Sequence, residues 1–339
     1  MTDSRPHLAG LVEDQWNLGL ARMLASRGWR HAVVPHVGYG NGEIVRVLAR
    51  VILAPPTDAP KAGDALLQRR GWRNFVTAEA LDVPVTVTIG GHHHTVRTDR
   101  SGNVDARLPD PGLATGWAEV TLQAEDSEPA TGRVRVIGDD VELGIVSDID
   151  DTVLSTYLPR PLVAAYNTFV AREEARRPVP GMADLYTRLL ADHPGAPTVY
   201  VSTGAWNTAP TLRRFLYRHG LPEGPLLLTD WGPTNTGWFR SGQKHKRACL
   251  ELLAADFPRI RWVLVGDDGQ HDPAIYADFA RSHRDRVRAI AIRELPMTEQ
   301  VLAHGTPGAL PDGEATQDGV PEVRGADGDA LAEHLLDVL

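Results

Sequence analysis

The hydrophobic rhythm of the chain changes near residue 140. Upstream, apolar and polar positions alternate. Val83, Val85, Val87 and Ile89 are interleaved with Pro84, Thr86 and Thr88, the period-two pattern of a half-buried strand. Glu43–Leu53, Trp117–Gln123 and Gly132–Ile137 read as further strands, with turns at Gly90-Gly91 and Asp99–Asn103. Short strands at regular turn spacing predict a mainly β, sandwich-like domain over residues 31–138. Ahead of it, residues 11–28 predict an amphipathic helix with Leu18, Leu20, Ala21 and Leu24 on its apolar side, inside an N-terminal segment 1–30. Downstream, compact apolar runs alternate with helical stretches. Strands are expected at Glu142–Ser147, Thr198–Ser202, Leu226–Asp230, Trp262–Gly266 and Arg286–Ile292, and helices near 161–175, 181–192, 207–219, 245–256 and 273–282. That alternation predicts an α/β domain over 141–305, a parallel sheet with helices on both faces. Residues 306–328, rich in Gly, Pro and acidic side chains, read as loop or partly disordered. A closing helix at 330–339 would complete an acidic tail running from 306 to 339.

Composition narrows the function without naming it. The 339 residues are 42% hydrophobic and 23% charged, enough for two soluble domains with their own cores. The net charge of −9 is uneven: from His304 to Leu339 eight acidic residues face Arg324 alone. No basic face of the kind a nucleic-acid binder needs is evident, and no general attraction to anionic membranes follows. Local basic groups, Arg172, Arg176 and Arg177 or Lys244, Lys246 and Arg247, could still handle a phosphate. Cys249 is the sole cysteine, so no intrachain disulfide can form. The first residues lack the charged-then-apolar order of a signal peptide, and no apolar run nears the ~20 residues of a transmembrane helix. The expectation is a cytoplasmic protein whose contact with membranes, if its substrate requires it, is peripheral.

The chemistry concentrates at the ends of the downstream strands. Leu143, Ile145 and Val146 lead straight into Asp148, Asp150, Asp151 and Thr152. Carboxylates so crowded repel one another and resist burial unless something cationic joins them. The spacing Asp-x-Asp-x-Thr suits phosphoryl transfer: one Asp attacks phosphorus, the next protonates the leaving oxygen, and Mg²⁺ offsets the charge. Ser202 and Thr203 end the second strand, where a hydroxyl or backbone N–H can hold a phosphate oxygen; a helix cap is the plainer reading. Lys244 and Lys246 are placed at the start of a helix after a glycine-containing loop, as candidates to neutralise nucleophile and phosphate together. The strand Trp262–Gly266 ends in a second cluster, Asp267, Asp268 and Asp272. Two such clusters on one sheet are best explained by a shared Mg²⁺, a hard cation that prefers oxygen. His92, His93 and His94 do not make a metal site, because neighbours on a strand point to opposite faces; they read as a polar strand start.

In this order the four stretches resemble the haloacid dehalogenase (HAD) superfamily of phosphotransferases. Ser147-Asp-Ile-Asp-Asp-Thr-Val153, Tyr200-Val-Ser202, Gly224–Gly232, His245-Lys246 and Gly266–Pro273 resemble, more specifically, the catalytic domain of the actin-patch type of phosphatidate phosphatase. The likeness covers about Val141 to Glu294 and is looser upstream, at Gly38-Tyr-Gly-Asn41. It implies a HAD-like Rossmannoid fold and a Mg²⁺-dependent phosphomonoesterase working through an aspartyl-phosphate. By the same resemblance Asp148 is the nucleophile and Asp150 the general acid and base. Asp148, the Asp150 backbone carbonyl and Asp267 hold Mg²⁺, Asp268 and Asp272 support it, and Ser202 and Lys246, with Thr152 and Thr203 nearby, hold the phosphoryl group. Lys244 is a rival for Lys246. Ser202-Thr203-Gly204-Ala205-Trp206 departs from the asparagine and serine-proline pair often found in the family. The implied substrate is phosphatidate, with Tyr157–Arg177 as an insert over the site. A phosphatase of a soluble phosphoester or phosphoprotein is the alternative, and a non-catalytic binding module that keeps the fold is the other.

Overall fold

The computed structural model describes residues 23–24, 26–54, 80–155, 177–229, 238–269, 271–296, 315–317 and 319–339. The chain divides into two compact units, Met1–Val136 and Ile137–Leu339. Most of the expected N-terminal helix and the insert over 156–176 lie outside the described residues.

The first unit is built from β1 (Arg30–Gly40), β2 (Ile44–Ala54), β3 (Pro84–Ile89), β4 (His92–Arg97), β5 (Asn103–Pro109), β6 (Gly116–Ala124) and β7 (Ala130–Val136). The alternation does what it predicts: Val45, Val47, Ala49 and Val51 of β2 and Val85, Val87 and Ile89 of β3 point into one core cluster. The strands do not separate into two facing sheets. They form one sheet in the order β4-β3-β6-β7-β1-β2-β5, and its edge strands β4 and β5 touch, so the sheet curls almost closed. Only β1 and β7 run parallel. A bulge shifts the β1 register between His36 and Tyr39. Gly38 sits inside it, where a Cβ would fall 2.2 Å from the Arg46 carbonyl oxygen. His92–His94 open β4 as a polar strand start.

The second unit contains β8 (Leu143–Ser147), β9 (Leu154–Ser155), β10 (Arg177–Pro178), α1 (Met182–Ala191), β11 (Thr198–Ala205), α2 (Ala209–Arg218), β12 (Leu226–Thr229), α3 (Trp238–Asp256), β13 (Arg261–Asp267), α4 (Asp272–Ser282), β14 (Val287–Arg293), β15 (Ala315–Gln317), β16 (Val320–Gly325) and α5 (Gly328–Leu335). The sheet order is β12-β11-β8-β13-β14-β16-β15, parallel except for β15. From β8 the chain moves out through β11 to β12, then returns to β13 on the other side. Right-handed crossovers therefore place α1 and α2 on one face and α3 and α4 on the other. The contacts agree, with α1 packed on α5 and α3 on α4. Every residue of β8 is buried, as a central strand covered on both faces must be. The order reverses beside its carboxyl end, the crevice where open α/β sheets bind ligands.

Two further expectations need correction. The acidic tail is not loop throughout: Ala315–Gln317 and Val320–Gly325 extend the sheet. Buried Val320 and Val323 carry β16, and Glu322, 2% exposed, survives there because Arg324 donates to it at 2.7 and 2.9 Å. Pro, Gly and acidic content concealed a strand whose charge is paired. The basic run Lys244–Arg247 does not open a helix either, since α3 begins at Trp238. Gly242, read as loop, is a helical glycine, and a Cβ there would lie 2.8 Å from Thr203 Cγ2.

Candidate active site

The chain leaves β8 still on the ladder, with the Asp148 N–H donating to the Val265 carbonyl at 2.8 Å. It then reverses tightly. The N–H groups of Val153 and Leu154 both reach Ile149 O at 3.1 Å, and Asp151 adopts φ 58°, a left-handed conformation that aspartate tolerates better than most residues. Fully buried Ile149 and Val153 anchor this turn from below. Asp148 is thereby held inside at 2% exposure, whereas Asp150 is only half-buried. Ser202 Oγ donates to Asp150 Oδ2 at 3.0 Å and accepts from the Gly204 N–H at 2.9 Å. Thr152 Oγ1 donates to Asp148 Oδ2 at 3.3 Å.

The second acidic cluster meets the first around one lysine. Lys246 Nζ, 3% exposed, lies 2.8 Å from Asp148 Oδ1 and 2.5 Å from Asp272 Oδ1. Asp272 opens α4 and closes on the end of β13, where only glycine fits: a Cβ on Gly266 would sit 2.6 Å from Asp272 Oδ2. Asp267 Oδ1 accepts from the Gly269 N–H at 2.7 Å. Asp148, Asp267 and Asp272 can each present an oxygen within 4.8 Å of the others. Of the two lysines left open by sequence, Lys246 is buried in this cluster and Lys244 is exposed.

Asp268 and Thr203 are engaged away from this cluster. Asp268 Oδ1 accepts from the Leu295 N–H at 2.9 Å, and its own N–H donates to Arg293 O at 3.0 Å, so it ties the segments that follow β13 and β14. Thr203 is exposed, and its carbonyl accepts from Thr229 Oγ1 at 2.8 Å.

Three buried carboxylates share one ammonium, and the electrostatics reflect the deficit. Burial pushes the Asp148 carboxyl up to about 8; Lys246 opposes that rise, while Asp272 and Asp150 add to it. Burial and the neighbouring Asp272 and Asp148 raise Asp267 well above the usual carboxylate range. For Lys246 burial works against the charge, and Asp148 and Asp272 more than reverse it, holding the lysine protonated. Asp267 Oδ2 and Asp272 Oδ2 are buried without a hydrogen-bond partner. Excess negative charge, an all-oxygen donor set and two unsatisfied oxygens fit a hard divalent cation.

Residues 143–294 match the family described as "Phosphatidate phosphatase APP1, catalytic domain". Phosphatidate phosphatase APP1 of Saccharomyces cerevisiae is 26% identical over 152 residues, covering 44% of this chain and 26% of that protein. The uncharacterized protein C29B5.04c of Schizosaccharomyces pombe is 27% identical over 155 residues, covering 45% and 25%. The chain thus spans about a quarter of the length of these curated relatives. Among solved structures, a carbohydrate acetylesterase from Xanthomonas citri aligns at 12% identity over 79% of this chain and 70% of that one. Its TM-score of 0.26 carries no argument.

Several supporting residues escape the motifs. The hydroxyls of Tyr186 and Ser147 share a hydrogen bond of 2.7 Å, and Ser147 Oγ donates to the Asp148 carbonyl at 2.6 Å, fixing the backbone beside the acidic cluster. Arg293, 5% exposed, donates to Asp151 O at 2.7 Å and Ala326 O at 3.2 Å, bracing the left-handed turn. Nothing in sequence marks Tyr186, one apolar-face residue of an ordinary helix. Gly266 and Arg293 were findable: a glycine and an arginine ending apolar strands are out of place unless backbones approach closely or a charge has buried partners.

Proposed function

We propose that the Ile137–Leu339 unit is a HAD-type, Mg²⁺-dependent phosphomonoesterase whose substrate is phosphatidate. The observation that carries this reading is the trio Asp148, Asp267 and Asp272 gathered on Lys246 at the switch point of the sheet, with two carboxylate oxygens unsatisfied. Asp148 and Asp267, with the Asp150 backbone carbonyl, would hold Mg²⁺, and Asp272 supports them through Lys246. The ion supplies positive charge to the phosphoryl group and to the crowded carboxylates when bound.

The chain's own groups account for the rest of the reaction. An Asp148 oxygen forms the new bond to phosphorus as the ester oxygen departs with its electron pair, giving an aspartyl-phosphate. Lys246 holds its proton throughout and faces the attacking carboxylate as a fixed cation. Asp150, outside the three-carboxylate cluster and accepting from Ser202, would serve as general acid to the leaving oxygen and as general base to the water that hydrolyses the intermediate. Phosphatidate as substrate rests on the catalytic-domain family of residues 143–294. The test is a substrate panel with Mg²⁺: phosphatidate in mixed micelles against soluble phosphomonoesters. Hydrolysis of phosphatidate supports the full reading. Hydrolysis confined to soluble esters replaces the substrate and keeps the chemistry. No turnover of any phosphomonoester leaves a binding module.

A further inference from the structure

Ser202 reaches Asp150 because β11 leaves its ladder at the site. Val201 of β11 pairs with Leu227 of β12, and the next pair is Ala205 with Thr229. Ser202, Thr203 and Gly204 therefore stand where β12 has Leu228 alone. Bulges of this kind re-aim side chains and take backbone groups off the ladder. Two of the displaced carbonyls meet one side chain. Half-buried Thr229, at the end of β12, donates from Oγ1 to Thr203 O at 2.8 Å, with Gly204 O at 3.2 Å sharing the same hydrogen.

The same peptide carries the contact onward. Thr203 O and the Gly204 N–H belong to one planar unit, so a bond that fixes the oxygen also aims the N–H. That N–H donates to Oγ of fully buried Ser202 at 2.9 Å, and Ser202 Oγ donates in turn to Asp150 Oδ2 at 3.0 Å. A hydroxyl has a single hydrogen; with a lone pair engaged by Gly204, that hydrogen is turned towards Asp150. The run is Thr229 hydroxyl, Thr203–Gly204 peptide, Ser202 hydroxyl, Asp150 carboxyl, each link polarising the next. A Cβ on Gly204 would stand 3.2 Å from Ser202 Oγ, and α3 presses on Thr203 through Gly242, where a Cβ has no room.

We infer that Thr229 is a positioning residue for the acid–base step, acting through the Thr203–Gly204 peptide and Ser202 on Asp150. This role rests on the proposed hydrolysis, in which Asp150 gives its proton to the ester oxygen as the bond from that oxygen to phosphorus breaks. Proton transfer needs donor and acceptor within hydrogen-bond reach, about 2.6–3.2 Å. Without the Thr229 hydroxyl the peptide can turn, because glycine 204 tolerates many backbone conformations. The Gly204 N–H then leaves Ser202, and Asp150 loses a donor of fixed direction. The attack on phosphorus is set separately, since Asp148 is held by the Val265 carbonyl and by Lys246. Loss of Thr229 should therefore be felt where the leaving group needs a proton and not where it leaves unaided.

The test is kcat/KM of the full chain on an alkyl phosphate and on p-nitrophenyl phosphate, a quantity that covers the steps up to release of the first product. Thr229→Val keeps the shape and removes the hydroxyl. It is expected to lower the alkyl value about tenfold and the p-nitrophenyl value by less than about twofold. Thr229→Ser, which restores the hydroxyl, is expected to return both values to the wild-type level. Thr229→Ala removes the same hydroxyl by a different route and is expected to show the same selective loss, so a valine that disturbs the edge strand does not decide the matter. Added to Ser202→Ala, Thr229→Val should not lower the alkyl-to-aryl ratio further, because the two act in one chain. Equal losses on both esters, no loss, no rescue by serine, or a further fall in that ratio would overturn the role and leave the hydrolytic reading standing. A wild-type protein that cleaves neither ester would overturn both.

Discussion

Each unit buries a cation among acidic side chains, and the two arrangements differ in balance. In the β unit Arg46 meets one carboxylate, Asp105, in a two-pronged contact at 2.6 and 2.7 Å and spends a third donor on Tyr39. Asp105 keeps water access at 47% side-chain exposure. In the α/β unit Lys246 meets two carboxylates, Asp148 and Asp272, with Asp267 clustered beside them; all three have almost no water, and two of their oxygens have no hydrogen-bond partner. A paired charge that is satisfied holds structure together. A cluster left short of positive charge holds a place for a ligand that brings it. The balance of charge, rather than its burial, separates a structural contact from a candidate site.

The largest effect should come from removing the proposed nucleophile. Asp148→Asn keeps the shape and deletes the attacking charge, so turnover should fall by on the order of 10⁴-fold or more. Stability of the metal-free protein should not fall, because one of three mutually repelling carboxylates is gone. Steady-state rates and thermal melts on one preparation check both halves. Substantial residual turnover would take Asp148 out of the mechanism.

The next effect distinguishes the two aspartates of the turn. Asp150 is not one of the three clustered carboxylates, and it accepts a hydrogen bond from Ser202. An alkoxide leaving group needs a proton, and p-nitrophenolate does not. Asp150→Asn should therefore slow the first step on an alkyl phosphate by about 10²–10⁴-fold more than on p-nitrophenyl phosphate. On the latter it should release a burst of p-nitrophenol and accumulate phospho-enzyme, seen by rapid quench. Equal losses without a burst would make Asp150 structural.

How much of this was readable in the sequence depends on how local the signal is. Period-two and strand–helix rhythms reflect burial of neighbouring residues, so the strands were legible to within a residue or so at β3 and β14. The acidic clusters were legible because carboxylates ending an apolar strand have few other uses. Three things were not. The curl of the first sheet depends on contact between β4 and β5, and the run between those strands says nothing about it. β16 was hidden because its acidic residue is neutralised by Arg324 two positions away, a pairing that composition averages out. The choice of Lys246 over Lys244 turns on helix phase, and placing the start of α3 near residue 245 rather than at Trp238 removed the phase information.

A smaller effect separates the balanced cation from the unbalanced one. Arg46→Met removes charged hydrogen bonds to Asp105 and Tyr39, which should cost about 2 kcal/mol by denaturant titration. Activity per folded molecule on a soluble phosphomonoester should not change. Lys246→Met should show the reverse weighting, with activity lost and the metal-free fold weakened chiefly at alkaline pH, where the carboxylates are charged. If Arg46→Met also abolished turnover, the division into a structural cation and a site cation would fail.

The pH dependence of stability is the most direct reading of the charge deficit. The Asp148 carboxyl is raised by burial from its ordinary range to about 8, and Asp267 is raised as well. Between those limits the folded metal-free protein holds protons that the unfolded chain has released. Stability therefore falls as pH rises, since the unfolded state binds fewer protons than the native one. The contribution is complete at acid pH, below the unfolded carboxylate range, and is lost as pH climbs towards 8. The slope is at most about 1.4 kcal/mol per pH unit for each group. A divalent cation binds the deprotonated cluster, so Mg²⁺ should raise the melting temperature more at pH 8 than at pH 6. Melts at both pH values, with chelator and with Mg²⁺, give four numbers, and Asp148→Asn should flatten the metal-free difference between pH 6 and pH 8. A metal-free protein equally stable at both pH values would mean that the three carboxylates are already balanced, and the contrast with Arg46 would lose its physical basis.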